Sequence, residues 1–459
     1  MTKLIVITSE TCAFCAIQKE ILRRLLPKFP DIEPVYLDRS ADQAEVEQYG
    51  DHGVPCLRIG DSTLTGSHTL EETAAFFRGE LNDEIIESGI ANPHYLDNAA
   101  TTPVCEEAIE AADKAMREWF GNPSSVHYRG RVAKAVLEDS RATVAKAMGA
   151  EPKEIFFTSC GSESDNWAVI RGAETMRARG GHIISSDVEH DAVRKSLIAL
   201  ENEGFEVTRV RPDGTGKISV ESVRAALRPD TVLVSLMMVN NETGAVNDIA
   251  GIARMLKEEG SAALFHTDAV QGFMKIPFDV RQLGADLISI SGHKIHAPKG
   301  IAALYIRDGI DLPPYILGGG QENGHRAGTE SLPLIAAFAA AVKAAEENRD
   351  ESIARMRGYK AQILDRLKEK IPDLRFIEGD APHILNLSIP GGRSEVLLNY
   401  LSQRGVYVSN SSACKRGARS HVLEAIGKDE DYISGAIRIS FSRLTTREDV
   451  DAFCDVLLR

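Results

Sequence analysis

The sequence predicts an α/β protein in two unequal parts, on three observations. Short apolar runs alternate with helical or loop segments over most of the chain, the pattern of a mostly parallel sheet covered by helices. An acid-rich, weakly periodic stretch interrupts that alternation once, after Gly79. The alternation fades again after Asn348, where a long helix is followed by scattered strands. The predicted order is a small α/β unit over residues 1–80, a linker over 81–94, a large sheet domain over 95–350 and a smaller α+β domain over 351–459.

In the small unit, Leu4–Ile7 is a continuous apolar strand. Phe14, Ile17, Ile21, Leu22 and Leu25 follow at helical spacing until Pro27 stops them. Pro34–Asp38 is a second strand, Ala41–Tyr49 a polar helix, and Leu57–Ile59 with Thr63–Thr65 a hairpin. Thr69 caps a last helix, with Glu72 three residues on completing a capping box. The linker clusters acids between Gly79 and His94, punctuated by Gly89 and Pro93. A short amphipathic helix is its alternative form.

Beyond Tyr95, apolar runs fall at Ile155–Thr158, His182–Ser185, Val207–Val210, Val232–Val239, Ala263–His266, Leu287–Ser291 and Ala302–Ile306. Their separation by helical segments is that of a doubly wound sheet. An Ala-rich helix over Leu332–Asn348 and a further helix over Ser352–Lys370 lead into the C-terminal strands.

Composition removes several classes of function. The 459 residues carry 53 basic and 67 acidic side chains, a net charge of −14, which excludes a dedicated nucleic-acid or anionic-membrane surface. Seven cysteines are too few, and odd in number, for a secreted disulfide scaffold. The longest apolar run, Leu332–Val342, is about half the ~20 residues that span a bilayer. The N-terminus reads as a first strand and not a signal peptide, so the expected setting is a reducing cytoplasm.

Cys12-Ala13-Phe14-Cys15 follows the first strand and opens the first helix. A thiolate at Cys12 would be favoured by the positive end of that helix, and Cys15, one turn on, could resolve a mixed disulfide. Two ordinary buried thiols, or half of a zinc site, are the alternatives; for zinc only Cys56 offers a third nearby thiol, and no metal is expected. Gly53-Val54-Pro55 places a proline just before a strand, where a cis bond facing the dithiol is expected. The CxxC, the Val-Pro and the Gly66-Ser67-His68 turn resemble those of glutaredoxins and related thioredoxin-fold redoxins over residues 1–80. The resemblance implies dithiol exchange at Cys12 and Cys15. The centre differs from the usual Cys-Pro-Tyr-Cys of glutaredoxins.

In the large domain, one strand end gives His266-Thr267-Asp268 with Gln271 close behind, and the next gives Ser289 to Lys294. Ligand sites in such sheets form outside the carboxyl ends of strands. A lysine, a strand-end carboxylate, and hydroxyl and imidazole groups match the needs of pyridoxal phosphate. A third strand end, Thr158–Glu163, offers small residues at a helix start, where backbone N–H groups can meet a phosphate.

Several short motifs then occur in one order: Tyr95–Pro103, Gly121–Ser125, Thr158–Asn166, Glu189-His190, Asn240–Glu242, Asp268, Ser291–Lys294 and Arg326–Thr329. Together they resemble the NifS/IscS-like cysteine desulfurases, a branch of fold-type I pyridoxal phosphate enzymes in the class-V aminotransferase family, over residues 95–459. The resemblance implies a homodimer with active sites at the subunit interface. It also implies that Lys294 attaches the cofactor, His190 stacks on its ring, Asp268 pairs with the ring nitrogen and Gln271 contacts the ring hydroxyl. Gly161, Ser162, Ser291 and His293 would hold the phosphate, with Thr329 supplied by the partner subunit. Asn241 and Arg438 would orient substrate, the arginine as a fork for a carboxylate.

Cys414, between small residues and Lys415-Arg416, is the implied nucleophile. The segment from Cys414 to Val422 is shorter and more cationic than in the IscS-like branch, and Cys160 stands where a glycine is usual. Cys56, Cys105, Cys160 and Cys454 are expected to be structural or incidental.

The expected reaction is desulfuration of L-cysteine to alanine, with the sulfur left on Cys414 and then reduced or relayed by Cys12 and Cys15. The expected recipient is a sulfur-acceptor protein, for iron–sulfur cluster, cofactor or tRNA thiolation chemistry. Rival readings are a selenocysteine lyase, an aminotransferase, and a thiol–disulfide oxidoreductase whose large domain is regulatory.

Overall fold

The first strand, Thr2–Thr8, is central in a four-stranded sheet and buried on both faces, which is why its apolar run is continuous and not alternating. The computed structural model describes residues 2–9, 13–49, 54–66, 68–79, 93–371, 373–389, 391–410 and 419–458. The chain divides into two units, Met1–Pro93 and His94–Arg459.

In the first unit the strands lie in the order Ile32–Asp38, Thr2–Thr8, Cys56–Ile59, Ser62–Thr65. The first pair is parallel and the other two are antiparallel. Leu4, Val6, Leu22, Leu57, Leu64 and Phe76 form one core layer, and Ile5, Ile7, Leu37, Val46 and Cys56 the other. The expected polar helix is one short turn, Gln43–Val46, continued as a 3-10 turn to Tyr49. The Val54–Pro55 bond is cis. The Thr69 capping box forms as expected, with Thr69 Oγ1 accepting from Glu72 N at 3.2 Å and Glu72 Oε2 from Thr69 N at 2.7 Å.

One expectation fails in the helix Ala13–Leu25. Ile17 is 52% exposed, and the buried stripe is Cys15, Gln18, Leu22 and Leu25. Gln18 takes a core position because its amide is fully used. It donates to Thr73 Oγ1 at 3.0 Å and accepts from His68 N at 2.9 Å.

The second unit is built on a seven-stranded sheet ordered Ile155–Thr158, Ala302–Ile306, Leu287–Ser291, Leu264–Asp268, Thr231–Ser235, His182–Ser186, Glu206–Val210. Four of its pairings are parallel. Ala302–Ile306 runs antiparallel to both neighbours. Only residues 292–301 separate it from the preceding strand, too few for the crossover that a parallel partner needs.

The run expected as one strand over Val232–Val239 stops being strand at Ser235. Leu236–Val239 stays buried but turns back, with Val239 bridged to Val246. Asn240 makes that turn: its Oδ1 accepts from Glu242 N and Thr243 N, both at 2.9 Å.

A second sheet, ordered Arg375–Ile377, Ile384–Ser388, Ala436–Ser440, Ser409–Asn410, packs under the helices Arg349–Lys370 and Arg447–Leu457. The chain enters this layer before it builds the large sheet. His94–Tyr95 pairs in parallel with Val406–Tyr407, and Asp97 bridges Ser440. No helix among the described residues is long and apolar enough to cross a membrane.

Candidate active site

The ends of five strands of the large sheet, the loop at Ala99–Ala100 and Arg438 of the strand Ala436–Ser440 converge on a cavity of about 290 Å³. Gly161, Ser162, His190, Asn241, Asp268, Gln271, Ser291, His293, Lys294 and Arg438 line it, as do Asp165, Cys160, Met237 and Ala99–Ala100. Thr329 is exposed and does not line the cavity of its own chain. Cys12 and Cys414 lie outside the described residues, and Cys15 is buried in the first unit.

Lys294 stands on a 3-10 turn directly after Leu287–Ser291. Its Nζ donates to the carbonyls of Ala99 and Ala100, each at 2.7 Å. The segment that supplies those carbonyls is clasped to the lysine turn. Thr102 Oγ1 donates to His293 O at 2.9 Å and accepts from His296 N at 2.8 Å, while His293 Nδ1 lies 3.1 Å from Thr101 Oγ1. Burial, with Lys294 beside it, pushes His293 down to about 3, so the ring is a neutral hydrogen-bonding group.

Asp268 ends the strand Leu264–Asp268, and its Oδ1 accepts from Val270 N at 2.9 Å. Burial pushes its carboxyl up, and likewise that of fully buried Asp165 nearby, which the charge of Asp268 raises further. Asp268 has His190 and Lys294 to offset that cost, whereas Asp165 has neither. Those charges favour Asp268 as the carboxylate of the pair. His266, two residues earlier, is neutral, pushed down to about 3 by burial. It ties three strands together through Ser235 Oγ at 2.9 Å and Ser289 Oγ at 3.0 Å.

His190 caps the helix Asp191–Asn202, accepting from Ala192 N at 3.2 Å. Gln271 Nε2 donates to Ala99 O at 2.9 Å. Arg438 is 1% exposed; Nη1 donates to Asn241 O at 2.9 Å and Nη2 to Asp97 Oδ1 at 2.8 Å.

The donor set fits pyridoxal phosphate. Ser291 Oγ and Gln271 Oε1 are buried polar atoms with no partner in the chain. At Gly161 a Cβ would come to 3.0 Å from Val270 Cγ2, so glycine lets the backbone there approach a ligand without displacing that side chain. Lys294, Asp268 and His190 are the groups that could hold the ring, and Gly161, Ser162, Ser291 and His293 those that could hold the phosphate.

A family model, aminotransferase class-V, matches residues 94–453. "Cysteine desulfurase IscS" of Methanosarcina thermophila is 41% identical over 368 residues, 79% of this chain and 90% of that protein. The chain belongs to the cysteine desulfurase family. A solved NifS-like protein superimposes with a TM-score of 0.76 at 38% identity, covering 80% of this chain and 98% of that one. A second, SspA in complex with cysteine, gives 0.66 at 34% identity, covering 77% of this chain and 100% of that one. The large mixed sheet is thus that of a fold-type I enzyme, and the family's cofactor is pyridoxal phosphate.

Sequence reasoning gave no separate role to Asp97, Asp165 or Glu189. Asp97 orients Arg438, and Asp165 sits four residues after Gly161 on the short helix Gly161–Asn166, a spacing that returns to the same side. Glu189 is fully buried, accepts from Ser186 Oγ at 2.5 Å, and is pushed up to about 8 by burial. Nothing in a single sequence separates it from any acid preceding a helix.

Proposed function

We propose that this chain converts L-cysteine to L-alanine and carries the abstracted sulfur as a persulfide on Cys414. One observation carries the assignment of Cys414: one flank of its segment is paired with a cavity residue and the other is bonded to the chain neighbours of two more. On one side Ser409 is the register partner of Arg438. On the other, Ser420 Oγ donates to Glu242 Oε2 at 2.5 Å, beside Asn241, and His421 Nε2 lies 3.1 Å from Glu189 O, beside His190.

Bound pyridoxal phosphate supplies the electron sink that lets the substrate's α-proton leave. The chain's residues do the rest. Arg438, fixed by Asp97 and Asn241, presents its guanidinium to the substrate carboxylate. Lys294, held by two carbonyls, is the cavity's amine for accepting and returning a proton. Asp268 would offer its carboxylate to the ring nitrogen, His190 its imidazole to the ring face, and Gln271 its amide to the ring hydroxyl, all three lining the cavity. The thiolate of Cys414 attacks the substrate sulfur; the S–Cβ bond breaks, Cβ gains a proton, and the products are alanine and Cys414–S–SH.

The second unit acts as a homodimer, with Thr329 serving the partner's site. Thr329's exposure outside its own cavity supports this, as do the exposed side chains of Met116, Phe120, Val126, Tyr128 and Leu317.

The first unit is a glutaredoxin-like, thioredoxin-fold domain that takes over the sulfur. Its parallel-then-antiparallel strand order, and Cys15 buried in the first turn of the helix after the first strand, support that reading. Cys12 thiolate takes the outer sulfur from Cys414; Cys15 then attacks Cys12, releasing hydrosulfide and leaving a Cys12–Cys15 disulfide. An external thiol reductant must reset the pair. Where an acceptor protein such as an iron–sulfur scaffold is present, the sulfur goes to it instead. The setting is the cytoplasm.

A paired alanine and sulfide assay on the full chain tests these steps. Cys414→Ala should abolish both products. Cys12→Ser, in buffer without dithiols, should keep first-turnover alanine and lose most of the sulfide. Undiminished alanine and persulfide in Cys414→Ala would remove the nucleophile assignment, and equal sulfide from Cys12→Ser and wild type would remove the relay. Faster turnover on selenocysteine than on cysteine would favour the lyase.

A further inference from the structure

Lys294 also lines a second, much smaller cavity of about 20 Å³. Met274, Lys275, His296, Arg349, Ser352 and Arg443 form most of its wall, and none of its lining residues is an Asp or Glu. We propose that this cavity is a binding site for a single halide ion, held by Lys275, Arg349 and Arg443.

Lys275 is 5% exposed, and its Nζ has no hydrogen-bond partner in the chain. Arg349 Nε and Arg443 Nε and Nη2 are likewise buried donors without a hydrogen-bond acceptor. The nearest carboxylates contribute weakly: Glu107 Oε2 lies 3.7 Å from Arg443 Nη2, and Asp350 Oδ1, on a solvent-exposed side chain, 3.6 Å from Arg349 Nε. The charges that act on Lys275 are those of Lys294 and Arg438, both positive. Burial and these neighbours push its ammonium down to about 7. His296 adds no charge, since burial holds it down at about 4; its Nδ1 lies 2.8 Å from Pro103 O, so its proton sits there and Nε2 carries a lone pair.

Guanidinium groups do not give up their protons, so buried donors on two arginines require an acceptor. A water offers only two lone pairs to these four donor atoms, although it can give a hydrogen to His296 Nε2. A halide accepts from every side. Size decides the class: about 20 Å³ holds one or two water-sized particles, enough for chloride or bromide but not for phosphate or an amino acid.

The wall is also held in place at a cost. Four non-glycine residues among those described have positive φ, and two of them, Met274 at 62° and His296 at 72°, line this cavity. Such backbone persists where the surroundings over-determine it, typically at binding sites. A halide here would offset the mutual repulsion of Lys275 and Lys294.

Crystals of the full chain soaked in sodium bromide should show an anomalous peak between Lys275 Nζ and the guanidinium groups of Arg349 and Arg443. In solution, raising chloride to ten times its Kd at constant ionic strength, with gluconate as the replaced anion, should raise Tm by about 2 °C. That response should vanish in Lys275→Met, which keeps the volume of the side chain and removes the buried ammonium, and so should fold. A missing bromide peak overturns the proposal, as does a chloride response as large in Lys275→Met as in wild type.

Discussion

The two units of this chain position their reactive groups in opposite ways. The first carries Cys12 and Cys15 within four residues of each other in the sequence. The second assembles one cavity from side chains as far apart in sequence as Ala99 and Arg438. A local site needs one strand and one helix to fold. A dispersed site needs the whole sheet, the loop over residues 95–102 and the C-terminal layer, so it is disabled by changes at many more positions. The contrast predicts that single substitutions in the second unit stop alanine formation, whereas those in the first alter only the later fate of the sulfur.

The largest effect is expected at Lys294. Lys294→Ala removes the amine that bridges Ala99 O and Ala100 O, the group proposed to attach the cofactor. Alanine formation should fall by at least about 10³-fold. The purified variant should lose bound pyridoxal phosphate on desalting, read from its visible absorbance. Retention of both would break the comparison at its strongest point.

Next comes Arg438→Lys. A lysine keeps the charge but cannot span Asp97, Asn241 O and a substrate carboxylate at once. A fall of about 10²-fold in kcat/KM is expected, carried mostly by KM, as for loss of a charge-assisted fork. A loss confined to kcat would mean that Arg438 acts on the reacting atoms and not on substrate orientation.

Stability against pH gives a smaller effect in the same unit. Glu189 is raised from 4.5 to about 8 in the folded chain, so between those values the folded state holds a proton that the unfolded state has released. Stability therefore falls as pH rises through that window, by at most about 1.4 kcal/mol per pH unit for this group. Glu242, raised to about 7, adds to the slope over the lower part of the window. Glu189→Gln keeps an acceptor for Ser186 Oγ and removes the titration. Denaturant unfolding between pH 5 and 9 should show a flatter curve for the variant. An unchanged slope would mean that Glu189 is ionised in the folded chain.

The same contrast explains what could be read from sequence. Lys294, Asp268 and His190 were legible as residues of one cavity because Asp268 closes a strand, His190 caps a helix and Lys294 follows a strand end by three residues. Six of the seven runs of the large sheet were legible because each is buried on both faces, whereas Val207–Val210 belongs to a half-exposed edge strand. What escaped depends on partners distant in the chain. Val232–Val239 reads as one strand until Asn240 turns it back. Ala302–Ile306 reads as another parallel strand until the length of its connection is counted. Ile17 reads as core because nothing local reveals that Gln18 has Thr73 and His68 waiting. Asp97 gains its meaning only from Arg438, and Lys275 only from the cations around it.

The smallest expected effect tests the other side of the comparison. In the first unit, Gln18 joins the helix Ala13–Leu25 to the start of Leu70–Phe77, through His68 N and Thr73 Oγ1; Thr73 in turn donates to Thr69 O at 2.8 Å. Gln18→Leu fills the same space but takes one acceptor and one donor out of a buried cluster, a cost of about 1–3 kcal/mol. Thr69→Ala removes only the cap that serves Glu72 N and should cost about 1 kcal/mol. Amide exchange across residues 2–79 should therefore quicken more in Gln18→Leu than in Thr69→Ala, with residues 94–459 unaffected. Alanine formation should match wild type in both, while sulfide release without added dithiol should weaken in the order of lost protection. If Gln18→Leu also slowed alanine formation, the dispersed site would depend on the local one, and the division of labour between the two units would fail.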